Sequence, residues 1–273
     1  MTGPVTGHSN SCCQKQQANT AHWRTNEVTG ANQGALKSPR TSSVSARVWT
    51  ATSGLAGLVA LAAYYASPYL ASWPSAGGSA SSIAAYGSSH ETLFFAAAWL
   101  QATGTVLIVI FFLGLVAAAG AVTRLSGLVV ILASISLLSL VLVEALLAVF
   151  VPIAAAAGDS EAAAVAFGLV NGTFARVFPL GPASWSYLGL GWVVLQTGVI
   201  DRRLGYAALG LGAAFEAAGL IAVASSAGAL LATALSVLQV LWVAAAAIVY
   251  AVTAPRARGV VSRAGNASST LEQ

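Results

Sequence analysis

Two carboxylates and three amides interrupt long apolar stretches of this chain: Glu144 and Glu216, with Gln101, Gln196 and Gln239. A charged side chain at the centre of a bilayer costs about 2.5–3.5 kcal/mol on insertion scales, so each carboxylate in such a stretch demands a reason. One reason is transport, with a polar track in which one carboxylate exchanges protons as a substrate or ion passes. The other is packing, each Glu or Gln holding a neighbouring helix by a hydrogen bond. Two acids and three amides suffice for interhelical contacts and are few for a pathway, which weights both Glu216 and Glu144 toward packing. Counting helical rise puts Glu216 near the midplane and Glu144 nearer the outer face, within reach of an ion pair with Arg176.

A second polar group flanks the apolar stretches. His90 and Glu91 adjoin the start of one of them, and with Arg176, Asp159 and Glu161 they make an outer-face cluster. Its simplest reading is solvation at the interface. A metal site needs convergent ligands, and of the three histidines, His8 and His22 fall in a polar N-terminal tail. No HExxH, GxSxG, P-loop or dinucleotide fingerprint occurs, so no catalytic residue, metal or cofactor is expected. Cys12 and Cys13 are adjacent, a poor geometry for a structural disulfide, and read as incidental thiols. Asn171-Gly-Thr173 and Asn266-Ala-Ser268 match the glycosylation sequon; the Arg-over-Lys, Ala/Gly/Val-rich composition points to a bacterium, where such matches arise by chance.

The elements that hold these residues follow from composition. Of 273 residues, 57% are hydrophobic and 7% charged, against about 25% charged in a soluble domain. Mean hydropathy is +0.79, too high for a water-soluble globule of this length. The expected fold is all-α: a polytopic bundle of six transmembrane helices over 46–254, at about 46–66, 92–118, 128–151, 183–200, 204–224 and 229–253. Pro68, Pro74, Gly77 and Gly78 lead into a Ser/Gly-rich loop up to residue 89, and Pro152 closes the third span. Between spans three and four, Phe167, Val170, Phe174 and Phe178 recur at helical spacing, an amphipathic pattern over 160–178. It suits an interfacial helix, with a re-entrant segment as the alternative, and Pro179, Gly181 and Pro182 then act as a stop. Gly54 with Gly57, Gly168 with Gly172, Gly189 with Gly191 and Gly210 with Gly212 are expected to permit close helix approach.

Charge placement orients the bundle. Lys15, Arg24, Lys37, Arg40 and Arg47 precede span one; Arg124 lies between spans two and three; Arg202 and Arg203 lie between four and five; Arg256, Arg258 and Arg263 follow span six. Six crossings gather all of these on one face, with Arg176 alone opposite, and the positive-inside bias makes that face cytoplasmic. Residues 1–45 lack apolar periodicity and read as a disordered cytoplasmic tail, or as sequence upstream of a later start; Met1 is the only methionine, so such a start would use another codon. Residues 255–273 form a cytoplasmic C-terminal tail. The net charge of +4 is explained by topology and not by nucleic-acid binding, since no basic stripe interleaves with aromatics.

The turn Asp201-Arg202-Arg203-Leu204-Gly205, after a longer outer segment and before span five, resembles a family of uncharacterised bacterial six-helix integral membrane proteins carrying a domain of unknown function. The resemblance covers about 46–254 and implies no activity; the tryptophan often found in that turn is missing. The leading functional expectation is a non-enzymatic inner-membrane protein that packs with itself or with a membrane partner. The alternative is a small proton-linked transporter or exporter using Glu216 and Glu144. The lipid bilayer is the one partner the composition demands, and no cofactor is expected.

Overall fold

The computed structural model describes residues 42–70, 73–75, 77–225 and 227–253. Residues 1–41, including Cys12 and Cys13, and the C-terminal tail lie outside that range, as do the expectations made for them. The described residues form eight α-helices: α1 (Ser42–Leu70), α2 (Ala80–Ser89), α3 (Glu91–Ala118), α4 (Leu125–Ala156), α5 (Ser160–Gly172), α6 (Ser184–Thr197), α7 (Arg202–Ala224) and α8 (Ala227–Thr253). Two π-helical turns, Thr173–Val177 and Pro179–Ala183, join α5 to α6, and no strand occurs among the described residues. Among the described residues six segments are long and apolar enough to cross a membrane: α1, α3, α4, the continuous Ser160–Thr197 run, α7 and α8. This is the architecture of a multi-pass membrane protein.

The spanning helices form a closed ring. Each packs against the next in the order α1, α3, α4, α6, α7, α8, and α8 returns to α1. Val59, Leu132, Leu146, Leu220 and Leu230 stand outward, as expected where hydrocarbon is the solvent, while Gln101, Ser134, Glu144, Ser186, Ser236 and Gln239 are buried inside. Rings fill much of the interior: Tyr187 meets Phe112, Phe215 and Trp242, and Phe215 continues to Phe178 and Phe174. Trp242 ties α8 to the start of α7 by donating its indole N–H to the Leu204 carbonyl at 2.9 Å.

Four sequence expectations need correction. The Ser/Gly-rich stretch is not all loop: Ser79 caps α2 by accepting from the Ser82 amide, and Ile83 and Gly87 bury one face of the helix. Pro152 does not close the third span; it lies inside α4, which continues to Ala156. Pro68 likewise falls within α1, which begins at Ser42. Lastly, Pro179, Gly181 and Pro182 do not stop the helix. The backbone widens to a π register, seen where the Phe178 amide reaches the Thr173 carbonyl, so residues 160–197 run as one helical segment. Such a turn shifts each carbonyl to the next amide along, which offsets the N–H that a proline lacks. The amphipathic 160–178 segment therefore belongs to the same continuous helical run as residues 184–197.

With α4 at about 48 Å, its length exceeds a hydrocarbon core of about 30 Å. At one end of the bundle α2, α5, the start of α3 and the end of α4 share a second core around Ile83, Phe94, Val151 and Phe167, which forms a cap. Trp73 stacks on Phe94 with ring centroids 5.1 Å apart. Asp159 caps α5 through the Ala162 amide at 2.9 Å, and Glu161 sits in its first turn, where the helix dipole favours an anion. Gly120 and Gly158 adopt positive φ, which lets α3 and α4 end in tight turns.

The glycine expectation divides. A Cβ at Gly57 would lie 2.8 Å from the Gly104 carbonyl oxygen, and one at Gly191 would lie 2.7 Å from that of Gly205; Gly54, Gly189 and Gly212 are also at close helix contacts. Gly168 and Gly210 face nothing within 4 Å, and Gly172 only the Arg176 side chain, so these three are not packing glycines. We predict that Gly191→Val destabilises the bundle by about 1–3 kcal/mol through overpacking, while Gly210→Ala leaves it unchanged or slightly more stable. Reversible unfolding in mixed micelles would measure both, and equal losses at the two positions would refute the assignment.

Candidate functional site

Glu144 on α4 and Gln101 on α3 meet across the helix interface. Both are almost fully buried, and the Gln101 amide nitrogen donates to Glu144 Oε2 at 2.7 Å. Thr105, one turn along α3, donates its hydroxyl to the Gln101 backbone carbonyl at 2.8 Å. Gln239 enters from α8, and Tyr65 from α1 stands beside Ser236 of α8. These side chains line a cavity of about 20 Å³, closed further by Leu61, Ile108, Val141 and the rings of Phe174 and Phe178 from the π-helical segment. A cavity needs about 10–15 Å³ of such volume to hold one water, so the space admits a single particle of that size.

The polar residues lining this space are unbalanced in donors and acceptors. Glu144 Oε1, Gln101 Oε1 and Gln239 Oε1 are all buried and none has a hydrogen-bond partner among the described residues. All three are acceptors. A buried acceptor left without a donor costs about 1–3 kcal/mol, more for a charged group, so three around one cavity amount to a demand for a donor or a cation.

By rise along the helices, Glu144 lies about 28 Å from the Leu125 end of α4 and Gln101 about 26 Å from the Ala118 end of α3. The cavity therefore sits toward the end of the bundle that carries the α2–α5 cap. Glu144 adjoins Ala145 and Gln101 lies one turn from Ala98, both members of the cap's core.

The remaining candidates are elsewhere. Gln196 pairs with Ser126, whose hydroxyl donates to its Oε1 at 3.0 Å near the opposite end of α4. Glu216 is half-buried, with Oε2 unpartnered, and does not line the cavity. Gly212 and Gly219, on the same α7 face one turn to either side, abut Ser184 and Leu180, which turns Glu216 toward the π-helical segment. The expected Glu144–Arg176 pair does not form: Glu144 takes Gln101, and Arg176 is exposed and directs its Nε to the Ala222 carbonyl at 3.4 Å. His90 stacks on Tyr86 at 4.1 Å and bonds the Ser89 hydroxyl at 2.8 Å, a local arrangement at the α2–α3 junction where Glu91 opens α3. Desolvation holds the Tyr86 phenol above its ordinary pKa. Among the described residues no group of three His, Cys, Asp or Glu side chains converges.

Sequence reasoning missed Thr105, Tyr65, Phe174 and Phe178 as parts of the site. Thr105 follows Gln101 at the i+4 spacing that shares a helix face, a usable signal; Tyr65 has the composition of an interfacial anchor and gave none. A groove of about 660 Å³ between α4 and the Val177–Trp185 stretch is lined almost wholly by apolar groups. No family model, no curated protein and no solved structure matches the chain.

The Gln101–Glu144 contact yields a double-mutant test. Gln101→Leu and Glu144→Leu should each cost about 1–2 kcal/mol, because each strands a buried polar partner, and the double variant should cost less than their sum. Unfolding free energies in bicelles would show this; strict additivity would mean that the pair is not coupled.

Proposed function

We propose that the chain is a small, non-enzymatic, ion-coupled carrier in which Glu144, with Gln101 and Gln239, takes up a proton or small cation from the outer side. The observation that carries this reading is that three residues from three helices, each with an unpartnered buried acceptor oxygen, line one cavity. A carboxyl retained only for packing would be served by matching donors, as Gln196 is by Ser126. The two π turns within the fourth span add support, because π turns inserted in helices are common at functional sites. We assign the protein to a bacterial inner membrane with both termini cytoplasmic. What supports this is the gathering of Arg47, Arg124, Arg202 and Arg203 at the ends opposite the cap.

A packing or partner-binding role is the second reading. It is favoured by the closed ring, whose aromatic interior leaves no continuous polar track from the cavity to the cytoplasmic end, and by a cavity no larger than one water.

Flux in proteoliposomes separates the two. Glu144→Gln keeps a polar side chain able to meet Gln101 and removes the titrating group. On the carrier reading, gradient-driven proton or cation flux above that of empty liposomes falls to background in Glu144→Gln and persists in Gln196→Leu. Wild-type flux at background, with Glu144→Gln folding normally, would favour the packing role instead.

A further inference from the structure

The geometry points to a dehydrated monovalent cation of sodium's size as the ligand of the cavity, held by Glu144 Oε1, Gln101 Oε1 and Gln239 Oε1. This deepens the carrier reading and rests on it. Size comes first: about 20 Å³ takes one particle near the volume of a water, which excludes a hydrated ion or any organic substrate in this conformation. Donor type comes second. The three unpartnered atoms are hard oxygens, and each belongs to a side chain at least nine-tenths buried: Glu144 is 3%, Gln101 4% and Gln239 8% exposed. Thr105 lines the same space, and its hydroxyl, having given its proton to the Gln101 carbonyl, keeps lone pairs to offer as a fourth ligand.

Charge decides among the species that fit. One carboxylate and two neutral amides carry a single negative charge, which one monovalent cation cancels. A divalent ion would leave a positive charge in low dielectric; calcium takes 6–8 oxygens and magnesium sheds its water reluctantly. A proton alone turns Glu144 Oε1 into a donor for one amide oxygen and strands the other. A water alone can donate to two of the three oxygens and leaves the carboxylate charge in place. The Gln101 amide is already oriented by its hydrogen bond to Glu144 Oε2, which turns its oxygen away from that contact. The rings of Phe174 and Phe178, 5.7 Å apart and stacked, cover the cavity from the π-helical segment, so admission requires that segment to yield.

The titratable groups facing Glu144 are the Tyr64 and Tyr65 phenols of α1; α3 and α8 present Gln101, Thr105 and Gln239, and the π segment presents phenylalanines. Protons and sodium therefore compete for the Glu144 carboxylate without a basic side chain on the cavity wall, and acid should weaken sodium binding.

The test uses the full-length chain in nanodiscs, with radiolabelled sodium binding and thermal unfolding in sodium, potassium or choline chloride at equal ionic strength. Sodium is expected to bind saturably, to raise the unfolding midpoint above that in choline, and to be displaced by acid. Gln239→Leu should weaken binding roughly tenfold, and Glu144→Gln should abolish it. The wild-type comparison of salts needs no variant to fold. Identical behaviour in sodium and choline overturns the proposal. If gradient-driven proton flux through Glu144 then persists, the site is proton-only and the carrier reading survives; if neither ion is bound or moved, both fall.

Discussion

A carboxyl group surrounded by hydrocarbon must find its partners inside the protein, because no solvent is available to supply them. In this chain that constraint falls on Glu144. Its hydrogen bond from Gln101 joins α4 to α3, and the pair adjoins the α2–α5 cap, beside Ala98 and Ala145 of the cap's apolar core. Much else is arranged around it. The α1 approach that brings Tyr65 to the cavity depends on the close contact of Gly57 with Gly104, where any larger residue would push α1 from α3. The α8 approach that brings Gln239 is fixed by Trp242, which packs into the interior ring cluster and bonds α7.

The fourth span serves the same site by departing from ideal geometry. A regular α-helix across residues 173–183 would be strained by two closely spaced prolines, Pro179 and Pro182, and a complete break would leave backbone groups unpaired at membrane depth. The two π turns resolve this conflict and place Phe174 and Phe178 over the cavity. The same segment lets α5 continue outward to pack with α2, so one local adjustment both covers the polar site and builds the cap above it.

The broad fold was legible from the chain because length, hydropathy and charge placement report directly on a lipid solvent. Six spans and their order were readable from these alone. What escaped was local. The prolines at 152, 179 and 182 signal interruption in water, yet each lies within a helical segment here, where neighbouring helices and widened turns offset the lost hydrogen bonds. Helix α2 was hidden because a Ser/Gly-rich stretch has poor helix propensity, and its formation depends on burial of Ile83 against the cap. Of five intramembrane polar candidates, Glu144, Gln101 and Gln239 line one cavity while Gln196 and Glu216 lie apart, a division set by helix rotation that spacing within one helix does not encode.

The central claim is that the three acceptor oxygens are held around a bound particle and not left for one another. A high-resolution density map of the protein in lipid nanodiscs tests it most directly. The account predicts a discrete peak in the cavity within hydrogen-bond or cation-ligand distance of Glu144 Oε1, Gln101 Oε1 and Gln239 Oε1. A featureless cavity, with Gln239 turned so that its amide nitrogen donates to Glu144, would contradict it and leave a purely structural contact.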